Sequence, residues 1–159
     1  MSEIARIVTP ERSRVRRALG VLGVRYPNGL DWLERRLDDI ECGRAQLWQV
    51  GHGRVAFGWA IVTPKGRHEA KLSTIYIAPA ARGRGWGRKL MDALSTELLH
   101  RDILNVRVTV DENDAATRSF FEIAGFTPLP DSRRRYGARF DSAYLLDLDA
   151  RKSLPVSAN

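Results

Sequence analysis

The sequence of 159 residues predicts a fold of the α+β class, in which helices flank a mixed, mostly antiparallel central sheet. Short apolar segments typical of strands occur together with segments whose apolar residues have the helical period. Three of the strand-like segments follow one another with only turns between them, which is typical of an antiparallel meander. The composition, 43% apolar and 28% charged residues, is that of an ordinary globular protein with one hydrophobic core.

The N-terminal part is predicted to contain one strand and two helices. The first strand is "EIARIV", Glu3–Val8. Thr9 is the predicted N-cap of the first helix, which has Pro10 in its first turn and extends to Leu19. "YPNG", residues 26–29, is a predicted turn. The second helix ends at a glycine, Gly43, and its apolar face comprises Leu30, Trp32, Leu33, Leu37 and Ile40.

Strand-like and helix-like segments make up the rest of the chain. The meander consists of strands at 45–50, 54–62 and 71–79. After it come a long helix at 85–101, a strand at 103–110, a helix at 114–125 and a last strand at 137–149. The apolar density of residues 103–110 predicts a buried central strand.

The charge balance limits the partners without selecting one. A net charge of +7 and a pI near 10.2 favour polyanions, namely nucleic acid, phosphorylated cofactors or acidic proteins, although solubility alone is an alternative explanation. No apolar segment approaches the roughly 20 residues of a membrane helix. The N-terminus lacks the apolar core of a signal peptide, so we expect a cytoplasmic protein. We expect no metal.

The most informative segment is "YIAPAARGRGWGRKLM", Tyr76–Met91, at the corner between a predicted strand and the long helix. The backbone N–H groups of a glycine-rich turn and of a helix N-terminus bind anions, and glycine lets a phosphate approach closely. No Gly-Lys-Ser/Thr follows, so this is not a Walker loop. The preceding meander argues against a dinucleotide-binding βαβ unit. A phosphate site is the favoured interpretation, and a tightly packed turn with solvated arginines is the alternative.

This segment resembles the central motif of the GNAT family, the GCN5-related N-acetyltransferases. The motif is Arg/Gln-x-x-Gly-x-Gly/Ala, and Arg82, Gly85 and Gly87 match it. "TIYIAP" is similar to the strand that precedes the motif, and "ENDAATRSFFEIAGF", which ends at Phe126, is similar to the family's second signature. The resemblance extends from Leu72 to Phe126. It implies a GNAT-type fold with a CoA site between strand and helix, and a single N-acetyltransferase domain at 1–150. Residues 151–159 are predicted to form a flexible tail.

The resemblance also implies the activity and the donor. The enzyme would transfer an acetyl group from acetyl-CoA to a primary amine, which attacks the thioester directly. The pantetheine arm would lie beside Ile75, Tyr76 and Ile77, and a backbone N–H near Tyr76 or Ile77 would stabilise the oxyanion. The residues implied to bind the pyrophosphate, mainly through backbone N–H groups, are Arg82, Gly83, Arg84, Gly85, Trp86, Gly87, Arg88 and Lys89.

The implied catalytic base is a departure from the family pattern. Many members have a glutamate on the fourth strand, and Lys71 occupies that position here. An ammonium group is a poor general base. Glu69 lies two residues earlier, on the same strand face. It is the candidate base, acting through water; pairing with Lys71 is the alternative.

The implied acid and the second signature also depart from the pattern. Phe121 occupies the position where members often have the tyrosine that protonates the thiolate, so it is predicted only to contact the pantetheine arm. Tyr136 is the candidate acid, with Tyr144 as a second choice. The signature asparagine is Asn113 by residue type, or Asp114 by spacing, and both are predicted cofactor contacts.

The sequence does not select the acceptor. A small molecule, a protein amine and an aminoacyl-tRNA all remain open, as do an acidic or nucleic-acid partner and a homodimer. The alternative is a non-catalytic GNAT-fold protein that binds CoA or nucleic acid. It is suggested by Lys71 and Phe121, which occupy the usual positions of the base and the acid.

Overall fold

The computed structural model describes residues 2–25 and 28–152, with the side chains of residues 24, 25, 136, 151 and 152 excepted. The predicted α+β class, with a mostly antiparallel multi-stranded sheet and helices, is confirmed. The strands are β1 Ser2–Ile7, β2 Gln46–His52, β3 Val55–Lys65, β4 Glu69–Ile77, β5 Asn105–Asp111, β6 Thr127–Pro128, β7 Arg134–Tyr136 and β8 Arg139–Asp147. The helices are α1 Arg12–Leu19, α2 Val21–Arg25, α3 Gly29–Glu41, α4 Trp86–His100, α5 Ala115–Ile123 and α6 Leu148–Lys152, with a 3₁₀ turn at Pro79–Ala81.

The chain divides into two compact units. The first comprises Met1–Pro64 and Leu72–Leu94, and the second comprises Lys65–Lys71 and Ser95–Asn159. The single N-acetyltransferase domain at 1–150 stays a prediction. Helix α6 includes residues 151 and 152 of the predicted tail, and residues 153–159 lie outside the described part of the chain.

The first unit has the strand order β1-β2-β3-β4. Strands β1 and β2 are antiparallel from Ser2↔His52 to Ile7↔Leu47, and β2 is also antiparallel to β3, with a register shift between Val50 and Gly51. Helices α1 and α3 pack their apolar faces against this sheet, because one core cluster contains residues of all these elements. Its buried residues are Val15, Leu19, Leu22, Leu33, Leu37, Ile40, Ala45, Leu47, Trp59 and Ile61.

The second unit contains the only described parallel pairing. The first residues of β4, Glu69–Lys71, pair with Asn105–Arg107 of β5, and β8 pairs antiparallel with the whole of β5. The central position of β5 is therefore confirmed. Its predicted burial holds for one face only, because Val106, Val108 and Val110 are buried whereas Arg107 and Thr109 are exposed.

Several boundaries in the N-terminal part differ from the predictions. Helix α1 begins after Glu11, whose carbonyl accepts the N–H groups of Arg14 and Val15, so Thr9 is not its N-cap. Leu30, predicted on the apolar face of α3, is 62% exposed. Helix α2 was not predicted, because five residues are too short for the helical period to show.

The turn at 26–29 is described only in part, since Tyr26 and Pro27 lie outside the described residues. Asn28, which precedes α3, has left-handed backbone with φ of 56°. Gly43 has φ of 74° and its N–H donates to the Ile40 carbonyl, which confirms the predicted glycine end of this helix.

Candidate functional site

The glycine corner lies between β4 and α4 and has the backbone geometry that the sequence predicts. Gly83 and Gly85 have φ of 74° and 80°, in the left-handed region that favours glycine. A Cβ atom added to either residue would meet no heavy atom of the described part of the chain within 4 Å. The backbone is therefore open to a ligand on the side where other residues would have side chains.

The N-terminus of α4 provides hydrogen-bond donors at this corner. The Lys89 N–H donates to the Gly85 carbonyl over 3.0 Å, so Gly85 is the residue that precedes the helix. Trp86 and Gly87 belong to the first turn, whose N–H groups have no partner within a helix. These donors and the partial positive charge of the helix end suit a phosphate.

Arg82 closes the corner with its side chain. Its Nε donates to the Ile77 carbonyl over 2.8 Å, and its guanidinium carbon lies 5.5 Å from the centre of the Tyr76 ring. Both contacts join the loop to the end of β4. Arg82 therefore has a structural role of its own, in addition to the predicted contact with a ligand.

The other three cations of the corner differ in their surroundings. The Lys89 Nζ lies 4.6 Å from the centre of the Trp86 ring, and the Arg88 Nε lies 3.5 Å from Asp92 Oδ1. Arg84 is exposed and has no partner among the described residues. Of the predicted phosphate ligands, Arg84 is therefore the side chain that would lose the fewest existing contacts on binding an anion.

Aromatic contacts attach both sides of the corner to β3. The ring of Trp86 meets Phe57 edge-on, with ring centres 5.2 Å apart, and the Ala78 N–H donates to the Phe57 carbonyl over 2.7 Å. The ring of Trp59 stacks on Tyr76 at 6.3 Å. Phe57 and Trp59 were not among the predicted site residues. Their spacing of two residues placed them on one strand face, but it did not show which elements cover that face.

Gly58, between these two aromatic residues, leaves space for the end of β4. A Cβ atom at this position would lie 2.6 Å from the Cδ1 atom of Ile77 and 2.6 Å from the Cγ1 atom of Val50. Glycine therefore allows Ile77 to lie against β3. The predicted pantetheine-binding residues Ile75, Tyr76 and Ile77 are all half-buried, so each retains a surface that a ligand can contact.

The candidate base lies in the second unit. The Oε1 atom of Glu69 is 3.2 Å from the Arg107 Nε, and the Glu69 side chain is 36% exposed. Lys71 is in register with the same arginine. Glu69 therefore forms an ion pair with a residue that the sequence analysis did not consider, and its role as a base stays a prediction.

The second signature begins at the N-terminus of α5. Asp114 caps this helix, because its carboxylate accepts the Thr117 N–H over 3.0 Å and the Thr117 hydroxyl over 2.7 Å. Asn113 is exposed, and its N–H donates to Asp111 Oδ1 over 2.9 Å. The cap explains an acidic residue at position 114 without a cofactor. The predicted cofactor contacts of both residues remain untested.

The aromatic residues of the second unit are mainly packed. Phe121 is 2% exposed, and its ring lies against those of Phe120 and Phe126 with centres 5.2 and 5.0 Å apart. It is a core residue in this structure, and its contact with pantetheine stays a prediction. Tyr144 is also buried. Tyr136 contributes backbone to β7, but its side chain lies outside what the structure describes, so its role as the acid stays a prediction.

The described residues form neither a metal-binding cluster nor a membrane-spanning helix. No group of three or more His, Cys, Asp or Glu side chains there is placed to hold a metal ion. In the same part of the chain, no helix has the length and apolar character needed to cross a membrane.

Comparison with protein families identifies the chain. The model described as the acetyltransferase (GNAT) family matches residues 18–126, which is more than half of the sequence. The chain therefore belongs to the GNAT family of acetyltransferases. The match includes the glycine corner and ends at the last residue of the second signature.

Solved structures of this family have the same fold at low sequence identity. A GNAT-family protein from Desulfovibrio desulfuricans is 21% identical with a TM-score of 0.80, over 93% of this chain and 99% of its own. The ribosomal-protein-S18-alanine N-acetyltransferase from Escherichia coli is 20% identical with a TM-score of 0.78, over 100% and 99%. A Salmonella typhimurium protein solved with its cofactor acetyl-CoA is 16% identical with a TM-score of 0.73, over 99% of both chains.

Proposed function

We propose that this protein is an acyl-CoA-dependent N-acetyltransferase that moves an acetyl group from acetyl-CoA to a primary amine. The observation that supports it most directly is the open glycine corner, where two left-handed glycines precede the first turn of α4. Acetyl-CoA supplies the thioester and, through its pyrophosphate, the anion for which this corner is suited. The Salmonella protein, which has the same fold, binds that cofactor.

The residues of the corner bind the donor in this proposal. The N–H groups of residues 83–87 hold the pyrophosphate, and the exposed side chain of Arg84 adds a positive charge. The half-buried residues 75–77 contact the pantetheine arm. The acceptor nitrogen forms the new C–N bond as the C–S bond breaks, so one proton leaves the nitrogen and one reaches the sulfur. Glu69 is the proposed base and Tyr136 the proposed acid.

The acceptor is an amine of a small molecule, a protein or an aminoacyl-tRNA. The E. coli neighbour is named for an alanine of ribosomal protein S18, so a protein amine belongs among the candidates. We propose one catalytic domain at 1–150 and a cytoplasmic location. Whether two copies associate is a question for size measurements in solution.

The first test is the shift in melting temperature caused by acetyl-CoA, CoA and ATP at one salt concentration. A ligand at about 100 times its dissociation constant adds about 2.7 kcal/mol, or roughly 5–10 °C for a chain of this size. We expect both CoA compounds to give such a shift and ATP to give much less. An equal shift with ATP, or none with acetyl-CoA, would contradict the proposed donor site.

A non-catalytic CoA-binding protein is the second candidate. Lys71 stands where many members have a glutamate, and the residue at the usual tyrosine position, Phe121, is buried. Such a protein would give the same thermal shifts, but it would release no CoA thiol from acetyl-CoA with any amine. Thiol release therefore separates the two candidates.

A further inference from the structure

A cleft of about 570 Å³ lies in the first unit beside α1 and above strands β2 and β3. Its size is that of sites for small molecules, which are typically about 300–1,000 Å³. No sequence pattern described above predicts this cleft. The lining residues that matter for its chemistry are Glu11, Arg14, Arg17, Arg54, Val55 and Trp59.

The cleft has an excess of positive charge. Glu11 Oε2 lies 2.8 Å from Arg14 Nε, so these two charges offset each other. Arg17 and Arg54 are exposed, and within the described residues neither has a carboxylate at ion-pair distance. Two uncompensated guanidinium groups at one cleft favour a ligand with an anionic group, since arginine forms paired hydrogen bonds with carboxylates and phosphates.

Apart from Gln49, the rest of the wall is apolar. Leu47 and Val15 belong to the buried core and form the floor of the cleft. Val55, on the rim, is 68% exposed. Burial of this exposed apolar side chain under a ligand would be favourable. A ligand that fits therefore has an apolar body as well as an anionic group.

The cleft adjoins the end of β4 that leads into the glycine corner. Trp59 lines the cleft and stacks on Tyr76, and Tyr76 is the residue whose ring lies beneath Arg82. All three residues belong to the first unit. Trp59 therefore connects the cleft to the end of β4, where the pantetheine arm is proposed to lie.

We propose that this cleft binds the acceptor of the acetylation, and that the acceptor is an amine that also carries a carboxylate and an apolar side chain. The carboxylate pairs with Arg17 and Arg54, and the apolar part covers Val55. Polycationic amines are disfavoured by the same two arginines. This proposal rests on the proposed function, which supplies the acetyl donor.

Three related compounds test the class of ligand. Phenylalanine has the amine, the carboxylate and an apolar ring; 3-phenylpropionate lacks the amine, and phenethylamine lacks the carboxylate. Calorimetric titration should show binding of phenylalanine and 3-phenylpropionate and none of phenethylamine. With acetyl-CoA present, phenylalanine alone should release CoA thiol. Equal or tighter binding of phenethylamine would overturn the proposal, because the carboxylate would then be irrelevant.

Variants test the location. The double variant Arg17→Ala/Arg54→Ala should weaken binding of 3-phenylpropionate at least tenfold while acetyl-CoA still raises the melting temperature as in the parent. Arg35→Ala is the matched control, because Arg35 is an exposed arginine on α3 that does not line the cleft. The proposal fails if the double variant binds 3-phenylpropionate like the parent, or if a single-stranded RNA oligonucleotide binds there and 3-phenylpropionate does not.

The two proposals fail in different ways. If acetyl-CoA gives no thermal shift but 3-phenylpropionate binding depends on the two arginines, the acetyltransferase proposal fails and the anion-binding cleft stands. If acetyl-CoA binds and 3-phenylpropionate does not, the cleft proposal fails and the donor site stands.

Discussion

Gly83 and Gly85 determine the candidate donor site at the scale of single residues. Their left-handed backbone turns the chain from β4 into α4 and leaves the turn uncovered. A tightly packed turn with no ligand was the alternative interpretation. A Cβ atom added at either position would have no heavy atom of the described residues within 4 Å, which argues against close packing as the reason for these glycines.

Gly85→Val should abolish the acetyl-CoA thermal shift, because a branched side chain would occupy the space that a pyrophosphate needs. The left-handed backbone should also cost about 1–2 kcal/mol of stability. Gly66→Val is the matched control, since Gly66 has φ of 72° and equally open surroundings in another turn. It should lose similar stability and keep the shift. A normal shift for Gly85→Val would show that the ligand binds elsewhere.

Glu69→Gln should lower kcat at least tenfold with little change in acetyl-CoA affinity if Glu69 is the base. This variant also breaks the ion pair with Arg107. Arg107→Gln breaks the same pair and leaves the carboxylate, so it should retain most of kcat. Steady-state rates of thiol release measure both. Equal losses in the two variants would assign Glu69 a structural role.

The residue-scale contacts were predictable only where they are local. The left-handed backbone of Gly83 and Gly85 could be predicted, because glycine is the residue that adopts it most easily. The Glu69–Arg107 pair depends on the parallel register of β4 and β5, which no local pattern encodes. The hydrogen bond from the Arg82 side chain to the Ile77 carbonyl likewise depends on the 3₁₀ turn between the two residues.

An ion-pair network joins α1 to α3 at the scale of elements. Arg12 donates to Glu34, Asp38 and Glu41 over 2.8–3.0 Å, and Arg16 donates to Glu34 as well. The hydrogen bonds from Arg16 and then Arg12 lower the pKa of Glu34 from 4.5 to about 2. The carboxylates in turn raise the pKa of Arg12. The network thus helps to fix the helix that forms one wall of the cleft.

Glu34→Gln should lower the melting temperature at neutral pH and have progressively less effect in acid. Because the pKa of Glu34 is lower in the folded protein, its ionised form stabilises the fold above pH 4.5, and this contribution is lost as the pH falls towards about 2. Thermal melts of parent and variant across that range measure the difference. Arg35→Gln, on the same helix, is the control. A difference that stays constant with pH would show that Glu34 acts through packing.

Elements of more than about six residues were largely predictable, and short ones were not. The meander, the long helix and the last strand are where the periodicity places them, within a few residues. Helix α2 and strands β6 and β7 are too short to show a period, and they form because neighbouring elements provide partners. The cleft could not be predicted, because it depends on how α1 packs on β2 and β3.

For the whole molecule, the net charge of +7 should make any binding of nucleic acid steeply dependent on salt. A protein with several phosphate contacts loses roughly 10³–10⁵ in affinity between about 50 and 200 mM salt. Acetyl-CoA affinity should fall only a few-fold, because in the proposed site backbone N–H groups make most of its contacts. Titrations of an RNA oligonucleotide and of acetyl-CoA at both salt concentrations measure this. RNA binding that resists salt would contradict this prediction, because phosphate contacts would then supply little of the affinity.

The contacts of Arg82 and Trp86 lower the entropic cost that binding a donor would otherwise carry. Glycines are the residues that lose most freedom when they become ordered, and each residue fixed costs about 1–2 kcal/mol. Arg82 holds one end of the loop on Ile77, and Trp86 holds the other end on Phe57. The loop is therefore ordered when the protein folds. At the proposed site, a donor would therefore spend little of its binding free energy on ordering the chain.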